Sequence, residues 1–329
     1  MTPKSLMIRN ATPEDSLSIA RLFQLAYGQS SHPCKDAQHV REGIGSGSTA
    51  WRVAVDQDRV VACVTLIVNV WNHSLELARA VTLPEYRGGG LGTELMQCSV
   101  DEACTSSSCD VIVGFPRSRT MLHIVSGLKP SMLPVGHDGA INVANGTREY
   151  HAIAYTRNPG VRFRHHIPSS PSLADSEFVH NNIFGPLGFS PERAEYPPQW
   201  VVGDGIEHPD LKPFSFGYDP FCPSDAIEIT CYNADSRDAG QVARELILML
   251  DSFYHARHAR LVVPVDKSEF IEKLADAGFE VTAYLPGWYL HQGGRYDCVL
   301  MVRRRFSAEP TDHGVRNVVD HFRQGFARQ

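Results

Sequence analysis

The sequence of 329 residues lacks any uninterrupted apolar run of about 18 residues, the length that a membrane-spanning helix needs. Its first residues contain no apolar core typical of a secretion signal. We therefore expect a cytoplasmic protein with no membrane partner. Acidic residues outnumber basic ones, 37 to 31, so the formal net charge is -6. This balance excludes a general electrostatic attraction to nucleic acid or anionic lipid.

Metal and redox motifs are also missing from the sequence. The eight cysteines include no pair with the two-residue spacing of zinc or thiol–disulfide sites. His255 and His258 lie close together near the end of a helix predicted over 239–256, but no third ligand accompanies them. We expect no bound metal.

Strand and helix patterns alternate over residues 1–157. Thr12, followed by Pro13 and Asp15, has the pattern of a helix start. Two apolar runs flank residues 56–58, which predicts a β-hairpin. The alternation predicts an α/β fold of the mixed α+β type, in which helices pack on a mixed sheet.

The amino-acid composition changes in residues 158–225. Ten of the 21 prolines fall between Val161 and Asp225, and aromatic residues are frequent there too. Flexible linkers are poor in aromatic residues, so we predict an ordered connecting segment. It forms either a wall of the substrate site or a packing segment between domains.

Regular patterns return in residues 226–306, which predict a second, smaller domain of strands and helices. Residues 307–329 form a separate C-terminal region, with apolar side chains at helical spacing. This amphipathic helix packs either within the chain or between two copies, so a homodimer stays open.

The most informative segment is a glycine-rich turn between a predicted strand and a predicted helix. Glycines let the backbone approach a ligand closely, and the N–H groups at a helix start attract pyrophosphate. The spacing fits neither the NAD fingerprint nor the nucleotide P-loop, because no Gly-Lys-Ser/Thr follows. This segment, called the glycine loop below, consists of Arg87, Gly88, Gly89, Gly90, Leu91 and Gly92.

The segment AVTLPEYRGGGLGTEL, residues 80–95, resembles the acyl-CoA-binding motif of the GNAT (GCN5-related N-acetyltransferase) superfamily. That motif has Arg or Gln, two residues, Gly, one residue, then Gly or Ala. Arg87, Gly90 and Gly92 occupy these positions. The resemblance covers residues 1–157 in element order, so it implies a complete GNAT acyltransferase domain at the N-terminus.

The resemblance implies that acetyl-CoA or another acyl-CoA binds as co-substrate between two splayed strands, over 75–83 and 110–115. The backbone of Ala80, Val81 and Thr82 would pair with the pantetheine arm. The glycine loop, extended to Thr93, would hold the pyrophosphate. Further contacts with cofactor or substrate are implied for the start of the next helix, at Arg117 and Ser118.

The resemblance also suggests catalytic residues. In family members the catalytic acid is often a Tyr on the last helix, four residues before the Gly of a Gly-Phe pair. Here that position is His123. The departure leaves two roles open, because an imidazole can donate a proton or simply pack. Glu76 lies on the strand where family members often place a carboxylate base, and Arg79 is the competing polar residue on that strand.

Residues 226–306 resemble the C-terminal half of the same fold. The acyl-CoA motif has decayed there, since Arg237 and Gly240 remain but Val242 replaces the second small residue. A Cβ at that position would obstruct close approach of the backbone to a ligand. Leu274 occupies the Tyr position. We expect a degenerate, GNAT-like half domain that is structural or binds substrate.

The leading hypothesis is an N-acyltransferase that moves an acyl group from a CoA-type thioester to an amine of a small molecule. A second hypothesis keeps the fold but uses a carrier-protein or aminoacyl-tRNA donor, because basic residues cluster at 157–166 and 303–305. The net charge argues against tRNA, and solvated surface charge is the simpler explanation. A third hypothesis is a non-catalytic CoA-binding module.

Overall fold

The computed structural model describes residues 6–28, 32–106, 109–144, 146–203, 215–221, 225–235 and 239–327. Packing divides the chain into two compact units. The first comprises Met1–Phe115, His123–Met132 and Tyr155–Val161. The second comprises Pro116–Leu122, Leu133–Ala154 and Arg162–Gln329. These units interleave along the chain, whereas the domains expected from the sequence are consecutive. Their bounds at residues 157, 225 and 306 stay a prediction.

The first unit contains a mixed sheet with helices packed on it, as the alternating pattern predicts. The strand order is β1-β2-β3-β4-β5, antiparallel except for the parallel pair β4–β5. Its elements, with α4 divided between the units, are β1(Leu6–Asn10), α1(Ser16–Tyr27), α2(Ala37–Gly45), β2(Thr49–Asp56), β3(Arg59–Asn69), β4(Ser74–Thr82), α3(Leu91–Thr105), β5(Val111–Gly114) and α4(Arg119–Ser126).

The predicted helix start lies one turn before α1. Thr12 and Asp15 form a capping box around a 3₁₀ turn, Pro13–Asp15, and α1 begins at Ser16. The Asp15 carboxylate accepts hydrogen bonds from the Arg9 guanidinium at 2.6 and 2.8 Å. This contact holds the pKa of Asp15 below its usual value, against the opposing effect of burial. The pair therefore ties the helix start to strand β1.

The second unit contains mixed strand pairing, with the strand order β6-β16-β17-β15-β14-β12. Its elements, with β9 divided between the units, are β6(Leu133–His137), β7(Asn142–Ala144), β8(Thr147–Glu149), β9(Ala152–Arg157), β10(His165–Pro168), α5(Glu177–Val179), α6(Gly185–Leu187), β11(Glu192–Ala194), β12(Gln199–Gly203), β13(Ser215–Phe221), β14(Ala226–Asp235), α7(Ala239–Ser252), β15(His258–Pro264), α8(Ser268–Asp276), β16(Phe279–His291), β17(Gly294–Arg304) and α9(His313–Ala327).

One sequence expectation in this unit is wrong. Helix α7 ends at Ser252 rather than near residue 256, and His258 is the first residue of strand β15. His255 and His258 therefore do not share a helix face. Within the described ranges, no group of three or more His, Cys, Asp or Glu residues could hold a metal ion.

A buried carboxylate organises the second unit. Asp297 of β17 is fully buried and accepts hydrogen bonds from the Tyr284 hydroxyl at 2.5 Å, from the Gly287 N–H at 2.6 Å and from the His165 ring. Its own N–H donates to the Tyr196 hydroxyl at 2.9 Å. Because His165 and Tyr196 belong to the proline- and aromatic-rich segment, this network supports an ordered segment in its described part.

Helix α9 packs within the chain. Its buried Val315 and Val319 join a cluster with Ala140 and Tyr150. Phe178 of α5 makes edge-on ring contacts with α9 at centroid distances of 5.4 and 5.6 Å. Of the two arrangements that the amphipathic pattern allowed, the structure shows the intramolecular one. No helix of the described residues is long and apolar enough to cross a membrane.

Two buried histidines lie in the same unit. Burial lowers the pKa of His137 and of His258 from 6.5 to about 3. Both imidazoles are therefore neutral at pH 7 in the folded state and uncharged well below the pH at which an unfolded chain binds protons.

Replacing Gly325 of α9 with Ala should destabilise the protein, although Ala favours helices by about 1 kcal/mol over Gly. A Cβ at Gly325 would lie 2.2 Å from the Phe178 ring. The control is Gly45→Ala in α2, where a Cβ would meet no heavy atom within 4 Å. Urea unfolding should show a lower midpoint for Gly325→Ala alone. Equal or increased stability in both variants would contradict this packing.

Acid should weaken the fold through the two buried histidines. Between pH 6.5 and about 3 the unfolded state binds protons that the folded state rejects, so each imidazole lowers the unfolding free energy by about 1.4 kcal/mol per pH unit as the pH falls. Urea unfolding at pH 7 and pH 5 should show a smaller pH effect in His258→Leu. The exposed-residue control His39→Leu should keep the effect of the parent protein.

Candidate active site

The cleft expected between two strands begins where β4 and β5 part. The strands pair from Ser74 and Val111 to Leu77 and Gly114. Strand β5 ends at Gly114, whereas β4 continues to Thr82. Beyond Leu77, the β4 backbone therefore has polar groups along one edge that β5 does not pair. Such an edge can bind an extended ligand through main-chain hydrogen bonds.

A β-bulge lies just after this point. Opposite strand β3, Thr65 pairs with Ala78 and Cys63 pairs with Val81, so two residues of β4 face one residue of β3. Arg79 has a φ of 53°, in the left-handed region. A bulge changes the directions of neighbouring peptide groups and side chains. Of the sequence-predicted residues, Ala80 lies in the bulge, and Val81 and Thr82 follow it directly.

The glycine loop joins β4 to α3. A 3₁₀ turn, Pro84–Tyr86, precedes it, and the Tyr86 hydroxyl donates to Asp56 at 2.6 Å. The Arg87 Nε donates to the Thr82 carbonyl at 3.0 Å. These two bonds tie the start of the loop to the sheet, while Arg87 and the three following glycines remain exposed.

The loop leaves open space above its backbone. Gly88 and Gly90 both have a φ of 83°, which residues with a Cβ rarely adopt. A Cβ placed on Gly88, Gly89 or Gly90 would meet no heavy atom within 4 Å. The glycines are therefore not required by packing, and Gly89 is not required by a positive φ either.

Helix α3 starts at the end of this loop without a side-chain cap. Its first α-helical hydrogen bond runs from the Glu94 N–H to the Gly90 carbonyl at 2.9 Å. The N–H groups of Leu91, Gly92 and Thr93 come before that bond, so they are available to an anion. The open space and the available donors fit a pyrophosphate.

The two predicted catalytic residues both fall in the first unit. Glu76 is half-buried in β4, paired with Ile67 of β3 and Val113 of β5. His123 is exposed on α4, and its ring makes no hydrogen bond or ion pair with a described residue. The structure therefore places Glu76 on the strand that borders the cleft, whereas no such bond ties the His123 ring in place.

Arg117 and Ser118 belong to the second unit, whereas the glycine loop belongs to the first. The Arg117 guanidinium lies 3.6 Å from the Glu149 carboxylate. The Ser118 hydroxyl accepts a hydrogen bond from the Met121 N–H at 3.3 Å, at the start of α4. These contacts give both residues a structural role, and their predicted contact with cofactor stays a prediction.

The decayed motif of the second unit is partly described. Arg237 lies outside the described residues. A Cβ on Gly240 would lie 3.1 Å from the Glu269 carboxylate, and Val242 is fully buried. Leu274, at the expected Tyr position, is also fully buried. In their described part these residues pack within the fold, and the degenerate half domain stays a prediction.

Sequence reasoning missed a histidine–carboxylate pair in the second unit. Asp138 is almost fully buried and accepts hydrogen bonds from the His151 ring at 2.8 Å and from the N–H groups of His151 and Ala140, both at 3.0 Å. Burial alone would raise the pKa of Asp138, but His151 lowers it below its usual value. The two residues lie in loops, Asp138 after β6 and His151 before β9, at no motif spacing, so the sequence gives no signal for the pair.

Residues 17–114 match the model of the acetyltransferase (GNAT) family. Over these residues, which make up less than half of the chain, the sequence is similar to the GNAT family. The match begins in α1 and ends at the last residue of β5, so it includes the bulge, the parting strands and the glycine loop.

Several solved structures have similar chains. The ribosomal-protein-S5-alanine acetyltransferase of Vibrio fischeri is 16% identical, with 49% of this chain and 98% of that chain covered and a TM-score of 0.42. A spermidine N-acetyltransferase of Vibrio cholerae is 18% identical, with 46% and 94% covered and a TM-score of 0.41. A Salmonella typhimurium protein solved with acetyl-CoA is 13% identical, with 48% and 96% covered and a TM-score of 0.41. No curated protein matches the sequence.

Replacing Gly89 with Ala should weaken acetyl-CoA binding by about ten-fold or more, the effect of losing one hydrogen bond to a charged group. The added methyl group occupies the open space above the loop without strain in the free protein. Isothermal calorimetry with acetyl-CoA measures the change, and Gly45→Ala serves as the control. Unchanged affinity in Gly89→Ala, at unchanged stability, would remove the loop from the binding site.

Proposed function

We propose that the protein is an N-acyltransferase that moves an acyl group, with acetyl the first to test, from a CoA thioester to an amine of a small molecule. The observation that carries this proposal is the unpaired edge of β4 running into the glycine loop. The strand edge supplies main-chain partners for an extended pantetheine arm, and the loop with the α3 start supplies N–H groups for pyrophosphate.

Bound acyl-CoA supplies an activated carbonyl, and the chain must provide the rest of the chemistry. An ammonium group has to lose a proton before it attacks, and charge that develops on the carbonyl oxygen needs a donor. Unpaired N–H groups of β4 after Leu77 are the candidate donors. Glu76 is the candidate base, because its carboxylate lies on the strand that borders the cleft.

His123 is the candidate acid for the departing thiolate. Its position in the sequence corresponds to the Tyr that family members often carry, and a protonated imidazole can donate a proton. Its exposed ring can reach a ligand without breaking a hydrogen bond or ion pair to another described residue. The role stays a proposal, and the variant below tests it.

The basic clusters that suggested a tRNA or carrier-protein donor are used largely within the protein. Arg303 and Arg305 pair with Asp251 at 3.1 and 2.6 Å, and Arg304 pairs with Glu280 at 2.6 Å. Arg164 donates to two main-chain carbonyls. These pairings reduce the positive charge offered to phosphates, so they favour a free CoA thioester as donor.

Purified protein mixed with acetyl-CoA and a panel of small amines should release free CoA thiol, measured with a thiol reagent. Glu76→Gln and His123→Ala should each lower kcat by about 100-fold or more if the side chain transfers a proton, with unchanged acetyl-CoA affinity. Normal turnover in either variant would remove that residue from the mechanism. Acetyl-CoA binding without turnover of any amine would instead favour a non-catalytic module.

A further inference from the structure

Arg79 lies on the strand that borders the cleft, and its guanidinium has no polar partner among the described residues. The Arg79 guanidinium lies over the Trp51 ring, 5.5 Å from its centroid, and the residue is half-buried. No hydrogen bond or ion pair joins this guanidinium to another residue of the described part of the chain. A guanidinium has five N–H donors, and those of Arg79 are not among the buried polar atoms of the described residues, so a ligand can reach them.

The other buried or half-buried arginines of the described ranges all have such partners. They bind carboxylates or main-chain carbonyls, and they are Arg9, Arg52, Arg148, Arg260, Arg295, Arg303, Arg304 and Arg323. In the described ranges, a buried or half-buried arginine therefore usually has a hydrogen-bond or ion-pair partner. Arg79 departs from that rule at the edge of the candidate active site.

The backbone conformation of Arg79 is also unusual. A left-handed φ of 53° costs free energy for a residue with a Cβ, and glycine would adopt it more easily. Strained positions of this kind concentrate at ligand-binding sites. The bulge places Arg79 two residues beyond Leu77, the last residue of β4 that pairs with β5.

The surroundings of Arg79 are aromatic. Trp51 contacts the Phe23 ring at a centroid distance of 6.5 Å, and the His32 ring stacks on Phe23 at 4.8 Å. Burial raises the pKa of the nearby Cys34 thiol, and the Arg79 charge acts against that rise. Trp51 and Phe23 are buried, so the ring beneath Arg79 restricts the guanidinium, whose fork can then hold a planar anion in a fixed orientation.

We propose that Arg79 binds a carboxylate of the amine acceptor and so selects acceptors of the amino-acid type. The inference rests on the proposed acyltransferase function. A carboxylate matches a single guanidinium through two parallel hydrogen bonds. Ala80, the next residue, begins the segment expected to pair with the pantetheine arm. The amine and the carboxylate of an amino acid are only a short distance apart. An acceptor whose carboxylate binds Arg79 would therefore place its amine near this segment.

The test compares acceptors that differ only in that group. L-amino acids and their α-amides share the same amine, whereas phosphoethanolamine carries a phosphate and spermidine carries only positive charge. Turnover of each with acetyl-CoA is measured by thiol release. The parent protein should prefer each amino acid over its amide by about ten- to a hundred-fold in kcat/KM, as expected for a hydrogen-bonded ion pair.

Three variants connect this preference to the side chain. Arg79→Gln should abolish it, mainly by raising KM for amino acids, and Arg79→Lys should retain part of it, because an ammonium keeps the charge but lacks the fork. Arg21→Gln, an exposed residue of α1, is the matched control and should leave the preference unchanged. Acetyl-CoA affinity, measured by calorimetry, should stay the same in all three.

Several outcomes would overturn the inference while leaving the proposed function intact. They are equal turnover of acids and amides, preference for phosphoethanolamine or spermidine, or an equal loss for acids and amides in Arg79→Gln. Weaker acetyl-CoA binding in Arg79→Gln and Arg79→Lys would assign Arg79 to the cofactor instead. If no amine is turned over while acetyl-CoA still binds, the acyltransferase proposal fails and the inference falls with it.

Discussion

The first unit depends on the parting of two parallel strands. Strand β5 stops at Gly114, which pairs with Leu77. Beyond Leu77, β4 continues without β5 beside it. Because unpaired main-chain groups are costly when buried, such an edge needs a partner, and an extended ligand can supply it. The same strand then feeds the glycine loop, so one element aligns the proposed arm-binding edge with the proposed pyrophosphate site.

The bulge adds a second consequence to this arrangement. By inserting one residue opposite β3, it puts Arg79 into a strained conformation and leaves its guanidinium over Trp51 without a hydrogen-bonding partner among the described residues. A left-handed φ at a residue with a Cβ costs free energy, and strain of this kind concentrates at substrate sites. Strain, charge and open edge thus occur within a few residues of each other.

The second unit has its own organising group. Asp297 is fully buried and collects donors from a tyrosine, a main-chain N–H and a histidine, while its N–H reaches a second tyrosine. A buried carboxylate is tolerated only when its hydrogen-bonding capacity is met. This requirement explains why an irregular segment rich in proline and aromatic residues is ordered around His165 and Tyr196.

Much of the site was visible in the sequence because it is local. The glycine loop occupies consecutive residues, and the helix start at Thr12 and Asp15 follows from side chains three positions apart. Alternating apolar residues likewise identified the β2–β3 hairpin and most strands. The wrong assignment of His258 to a helix arose because an Arg/His-rich stretch has no apolar periodicity that distinguishes a helix end from the start of a strand.

The sequence by itself determined the glycine loop and the candidate residues on β4, because backbone preference and apolar periodicity act over a few neighbouring positions. Only the tertiary structure decided that the Arg79 guanidinium lies over Trp51 with no polar partner among the described residues, that Asp138 holds His151, and that Arg117 and Ser118 belong to the second unit. These features depend on strand register and burial, which join residues that are far apart in the chain and carry no mark in local sequence.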